Sequence, residues 1–159
     1  MKYKIPIIVV IILTVGCGNS KDEKNSLHVS ESTKFSDVQK KTELSMTDEY
    51  LEYIPAFIFE QSDLTKLDLS RNKITELPPE IGKLSKLKQL DLSRNSLTEL
   101  PAEITGLIDL YELHLGINDL KKLPDEIGKL ANLRFLDIWN NELTELPKSF
   151  SNLKKLEKL

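Results

Sequence analysis

The sequence predicts an α/β solenoid, with a short curved parallel sheet on its concave side and short helical or 3-10 segments on its convex side. Three observations predict it. Leucines recur every 23 residues from Leu64 to Leu156, and a period of that length marks an array of stacked units. Each period contains Leu-x-Leu, the alternation of a strand with one apolar and one polar face. Each also carries an Asn and a Leu-Pro at fixed places, where a continuous amphipathic helix does not accept them.

The chain opens before this array. Residues 1–16 read as a signal peptide. Lys2 and Lys4 supply a positive start, and Ile5 to Val15 is an apolar run broken only by Pro6 and Thr14. That run is too short to remain as a membrane-spanning helix. Thr14-Val15-Gly16-Cys17 resembles the lipobox of bacterial lipoproteins, in which the Cys becomes the lipidated first residue after cleavage. Gly16 before it and Gly18-Asn19-Ser20 after it fit; Thr14, where the pattern prefers Leu, departs from it. Ordinary cleavage near Gly16 or Gly18, giving a soluble product, is the alternative. The resemblance implies export and a lipid anchor at Cys17 in a bacterial membrane, either the outer membrane or the cell surface. Residues 17–37 are mostly Ser, Lys, Asp, Glu and Asn around few large apolar side chains, the composition of a flexible tether.

Residues 38–63 read as a degenerate N-terminal capping repeat. Counting back one period aligns Leu44, Met46, Leu51, Ile54-Pro55 and Ile58 with the later units, but Glu49 stands where they have Asn. Tyr50, Tyr53, Phe57 and Phe59 are bulky where later units are small or charged. Terminal repeats are atypical because something must cover the first open edge. A ligand site built on those aromatics is the alternative reading.

Residues 64–159 hold four full repeats and one partial repeat. In the first, Leu67-Asp68-Leu69 predicts a strand. Asn72 follows, and its side-chain amide can donate to and accept from the backbone of neighbouring turns. Asn95, Asn118 and Asn141 repeat it, so the four read as an internal polar ladder. Leu77-Pro78 turns the chain, because proline fixes φ and cannot extend a strand. Pro78 to Leu84 then has room for about two turns of helix or 3-10 structure. One such unit cannot bury its leucines alone, but stacked units can.

The consensus LxxLxLxxNxLxxLPxxIxxLxx resembles the typical 23-residue leucine-rich repeat of bacterial surface proteins and Ras-suppressor-like adaptors. It covers 64–156 almost without departure. The resemblance implies a leucine-rich-repeat solenoid whose polar strand positions face the concave side and bind other proteins. At the far end the sequence leaves two outcomes open. Either Lys148 to Leu159 turns helical and covers the stack with Phe150, Leu153 and Leu156, or the last edge stays open and invites self-association.

Function then falls to the columns that equivalent exposed residues form on adjacent strands, about 4.8 Å apart. The first two units both read Asp-Leu-Ser-Arg-Asn, so Asp68 and Asp91 stand to pair with Arg71 and Arg94 on a generic solvated face, a weak interaction. The third and fourth units differ. His114, Gly116, Ile117, Phe135, Asp137 and the sole tryptophan, Trp139, stand there. Interface energy concentrates in Trp, Tyr and Arg, so these residues, with Arg71 and Arg94 on the same face, are the candidate protein-binding site. The alternative is that Phe135 and Trp139 shield the C-terminal edge and pack on each other.

The remaining chemistry is narrow. There is one Cys and there are two His, too few for a disulfide framework or a His/Cys metal cluster within one chain. No cofactor is expected. A net charge of −3 gives no reason to expect nucleic acid. No phosphate loop or nucleophile–base pairing is present; the single Cys lies at the leader, and His114 has no nucleophile beside it. The expected role is a non-enzymatic, lipid-anchored envelope module that binds a protein partner. A self-associating structural envelope protein is the alternative.

Overall fold

The computed structural model describes residues 42–159. The signal peptide read at 1–16, the lipidated Cys17 and the tether read over 17–37 lie outside the described residues. Five strands form one parallel sheet in chain order: β1 (Glu43–Ser45), β2 (Lys66–Asp68), β3 (Gln89–Asp91), β4 (Glu112–His114) and β5 (Phe135–Asp137). Each residue pairs with the residue one period later, as in Leu44 with Leu67 and Leu90 with Leu113. The sequence period is therefore the strand register. The central leucine of β2 to β5 is fully buried while its neighbours stay at least partly open, as alternation requires.

Every strand stops after three residues, and the backbone shows why. Arg71, Arg94, Ile117 and Asn140 all have positive φ, between 52° and 60°. This left-handed residue swings the chain off the sheet just ahead of each Asn. Parallel bonding continues through the bend, for example from the Leu92 amide to the His114 carbonyl at 2.9 Å and from the Arg94 amide to the Gly116 carbonyl at 2.8 Å.

The asparagines hold the turns that the ladder leaves behind. Asn95 is 8% exposed. Its Nδ2 donates to the Leu92 carbonyl of its own unit and to the Leu69 carbonyl of the unit before, both at 3.0 Å, while its Oδ1 accepts the Ile74 amide at 3.0 Å. Asn118 bonds Leu92, Leu115 and Leu97 in the same way, Asn141 bonds Leu115, Ile138 and Leu120, and Asn72 reaches Met46, Leu69 and Leu51. One side chain thus satisfies backbone groups of two units, which ties neighbours together.

The return segments are 3-10 turns: Ala56–Glu60, Pro79–Lys83, Ala102–Gly106, Ile127–Lys129 and Lys148–Asn152. All but the fourth start directly after a proline that is already extended, and an isoleucine such as Ile81 or Ile104 drops from each of the middle ones into the core. Two adjacent turns approach so closely that only glycine fits: a Cβ on Gly128 would run into the Ser149 carbonyl oxygen.

The last turn does not fold over the end of the stack. Pro147 launches it in the same place as its predecessors, packed beside Ile127–Lys129. After it the chain starts another strand, with the Leu136 amide donating to the Lys158 carbonyl at 3.1 Å and Phe135 bridging Lys158. The outer edge of β5 is thus bonded in part by Lys158. Ile138, Leu143, Phe150 and Leu156 are only partly covered, and Leu146 is 42% exposed.

Candidate functional site

Residues on either side of each buried strand leucine point to the open face of the sheet. On β4 and β5 these are Glu112, His114, Phe135 and Asp137, and the strand pairing sets Glu112 beside Phe135 and His114 beside Asp137. The His114 and Phe135 rings meet diagonally, with centroids 4.8 Å apart and planes tilted by 37°, within the range of a favourable aromatic contact. His114 Nε2 lies 3.0 Å from Glu112 Oε1, and Gln89 on β3 donates to the other oxygen of the same carboxylate. Glu112 therefore links β3 to β4. Burial alone would raise its carboxyl, but the bonds from His114 and Gln89 and the positive charges of His114 and Lys66 outweigh that and hold it below its ordinary value.

Trp139 stands one step beyond β5 on the same face and is 60% exposed. Its seat is Gly116, where the two preceding units have Ser70 and Ser93. A Cβ on Gly116 would lie 2.6 Å from the indole Nε1 and 2.8 Å from Asp137 Oδ2, so the ring and the carboxylate converge on space that only glycine leaves free. Asp137 Oδ1 also accepts the Trp139 amide at 3.1 Å. Ile117, next to Gly116, is partly exposed and donates its amide to the Trp139 carbonyl at 2.9 Å. His114, Ile117, Phe135, Asp137 and Trp139 are thus one contiguous patch.

Two sequence expectations need correction. Asp68 and Asp91 do not turn to Arg71 and Arg94. Asp68 Oδ1 accepts the Ser70 amide at 3.0 Å and its hydroxyl at 2.7 Å, and Asp91 does the same with Ser93 at 2.9 and 2.7 Å. A carboxylate two residues before an amide closes a local turn more easily than it orders a long arginine. Second, Arg71, Arg94 and Ile117 are not strand positions. They occupy the left-handed bend at the rim, so the two arginines border the face after β2 and β3, with the Arg94 amide bonded to the Gly116 carbonyl. The residue that the sequence reading passed over is Glu112. Its column position was plain, but its partners one strand back and two residues on depend on side-chain rotamers.

The sheet face also has a shallow depression of about 120 Å³ lined by Lys66, Asp68, Gln89, Asp91, Glu112 and His114. It is far smaller than an ordinary small-molecule pocket. Among the described residues this face is an open surface with a shallow depression.

Comparison with known proteins agrees with this architecture. The family described as "Leucine rich repeat" matches residues 62–120 and 108–159. No curated protein matches the chain in sequence. Among solved structures, a leucine-rich repeat protein of Leptospira interrogans is 43% identical, with a TM-score of 0.69 over 73% of this chain. The functional domain of InlJ from Listeria monocytogenes, which includes a cysteine ladder, is 32% identical with a TM-score of 0.62 over 72%. The ectodomain of the Arabidopsis thaliana receptor kinase GASSHO1/SCHENGEN3, solved in complex with CASPARIAN STRIP INTEGRITY FACTOR 2, is 35% identical with a TM-score of 0.61 over 67%. The chain spans 30%, 24% and 13% of the length of these three. Register, turn chemistry and family match agree: the chain belongs to the leucine-rich repeat family.

Proposed function

We propose that this chain is a protein-binding module of the bacterial envelope, held to a membrane by lipidated Cys17, that grips its partner with the open sheet face around Trp139. His114, Ile117, Phe135 and Asp137 complete the contact, and Arg71 and Arg94 border it. The observation that carries the reading is the Trp139 indole, largely exposed yet seated on a glycine. A large aromatic held in place before binding loses little conformational freedom on contact. The family membership supports the general role, and the Listeria and Leptospira similarities are in keeping with a bacterial setting. The leader ending at Cys17 supports the anchor. The face carries no nucleophile beside His114, so the module is read as non-enzymatic.

The test is capture of partners from host and bacterial extracts by the native chain and by a Trp139→Ala/Phe135→Ala double variant. Capture by the native chain alone, with Tm moved by no more than about 4 °C, is the expected result. A collapse of Tm would mean the rings serve the fold instead.

The incompletely covered apolar side chains past β5 favour a second reading, self-association. Leu146 and the partly covered Phe150 and Leu156 lie there, and clustered exposed apolar side chains favour contact with a second copy. A concentration-dependent mass for the purified chain, abolished by charged substitution at Leu146, would support it over a monomeric binder.

A further inference from the structure

We propose that the segment received by this face is cationic: an arginine- or lysine-bearing stretch of polypeptide whose charged head rests on the Trp139 indole beside the Asp137 carboxylate. This rests on the binding-face reading above and names the partner's chemistry. The outward strand positions carry Glu43, Asp68, Asp91, Glu112 and Asp137 against one lysine, Lys66. The charge of His114, when it is protonated, is met by Glu112 at 3.0 Å. Asp137 makes the same local turn as Asp68 and Asp91, its Oδ1 accepting the Trp139 amide, but it has no serine hydroxyl to accept, and its Oδ2 faces the gap over Gly116 that Trp139 Nε1 also faces. No cation of the described residues forms an ion pair with it.

Those features select the sign of the occupant. The face of an indole attracts a cation, and a neighbouring carboxylate strengthens the attraction. An acidic segment laid on the same ring would meet Asp137 directly, with Asp91 two strands away across His114. Ile117, next to Gly116 and partly exposed, offers apolar surface to the methylene stem of an Arg or Lys. Arg71 and Arg94 occupy the bends after β2 and β3, with the Arg94 amide bonded to the Gly116 carbonyl, and they repel a basic segment on that side, which directs it toward β5.

Trp139 is the only tryptophan, so its emission reports on this site alone. The full-length chain in detergent is titrated with an oligo-arginine peptide and with an oligo-glutamate peptide of equal length. Oligo-arginine is expected to change the emission saturably, with affinity falling as salt rises. Asp137→Asn keeps an oxygen for the Trp139 amide but removes the charge, and it is expected to weaken oligo-arginine binding by about fivefold or more. Oligo-glutamate binding as tightly as oligo-arginine overturns the proposal, and so does Asp137→Asn leaving oligo-arginine binding unchanged. The two readings separate cleanly in capture experiments. A captured partner that needs Trp139 and Phe135 but ignores Asp137→Asn overturns the cationic assignment and leaves the binding face standing. Capture indifferent to Trp139 removes both.

Discussion

Ile117 is held at φ 58°, in a region where a β-branched side chain is crowded by its own backbone. The same bend is made elsewhere by Arg71, Arg94 and Asn140, and Asn tolerates it best. Such strain costs on the order of 1–3 kcal/mol, and nothing in the core repays it, since Ile117 is partly exposed at the rim. Ile117→Asn is therefore expected to raise the unfolding temperature while weakening partner capture. A variant less stable than the parent would show that Ile117 packs for the fold. Asn95→Ala should act in the opposite sense. It strands the Leu69 and Leu92 carbonyls and the Ile74 amide in a buried site, costing about 1–3 kcal/mol in denaturant unfolding, with the aromatic patch untouched. The ladder asparagines were legible in the sequence because their role depends on spacing alone. The role of Ile117 was only half legible. Its column was readable, but its left-handed backbone was not, because the residues sharing that bend include two arginines that carry no conformational signature. Asp68 shows the same limit: its choice of Ser70 over Arg71 is a contest between a short local bond and a long side chain's entropy, which a column of letters does not rank.

The elements repeat because each solves the same packing problem. A three-residue strand puts one leucine inward, and a 3-10 turn returns the chain with one isoleucine inward. Both were readable from Leu-x-Leu and Leu-Pro. The distance between neighbouring turns was not, because it depends on which residue meets which across units. At Gly128 the approach leaves no room for a methyl group against the Ser149 carbonyl, and the Gly128 amide donates to Ser149 Oγ at 3.2 Å. Gly128→Ala must push the last turn outward. The expected loss is about 1–3 kcal/mol, the usual cost of overpacking. It should appear as earlier thermal unfolding with β2 and β3 little affected in hydrogen exchange. Gly106→Ala is the control, since a Cβ there meets its nearest neighbour only at 3.7 Å and should be tolerated. Equal damage from both would mean that glycine is needed for its backbone freedom instead of the space it leaves.

For the whole molecule, a stack in which each unit touches only its neighbours divides labour along the chain. Fully buried leucines and isoleucines fill the middle units, and the exposed ring, carboxylate and histidine gather on β4 and β5. A binding face of this kind gains from being held at a surface where its partner is concentrated, because tethering turns a bimolecular encounter into a local one. That is the physical sense of the proposed lipid anchor at Cys17 and the polar spacer read over 17–37. The anchor rests on a different argument from the face. The apolar run ends at Cys17, and its acylation would add several buried methylenes, each worth about 0.8 kcal/mol of membrane affinity. The chain expressed in a bacterial host should therefore enter the detergent phase on temperature-induced partitioning. Cys17→Ser should move it to the aqueous phase or leave it unprocessed, with the fold and the Trp139 emission of the repeat region unaltered. Partitioning that ignores Cys17→Ser would dispose of the lipid anchor while leaving the sheet face, and the partner it selects, as they stand.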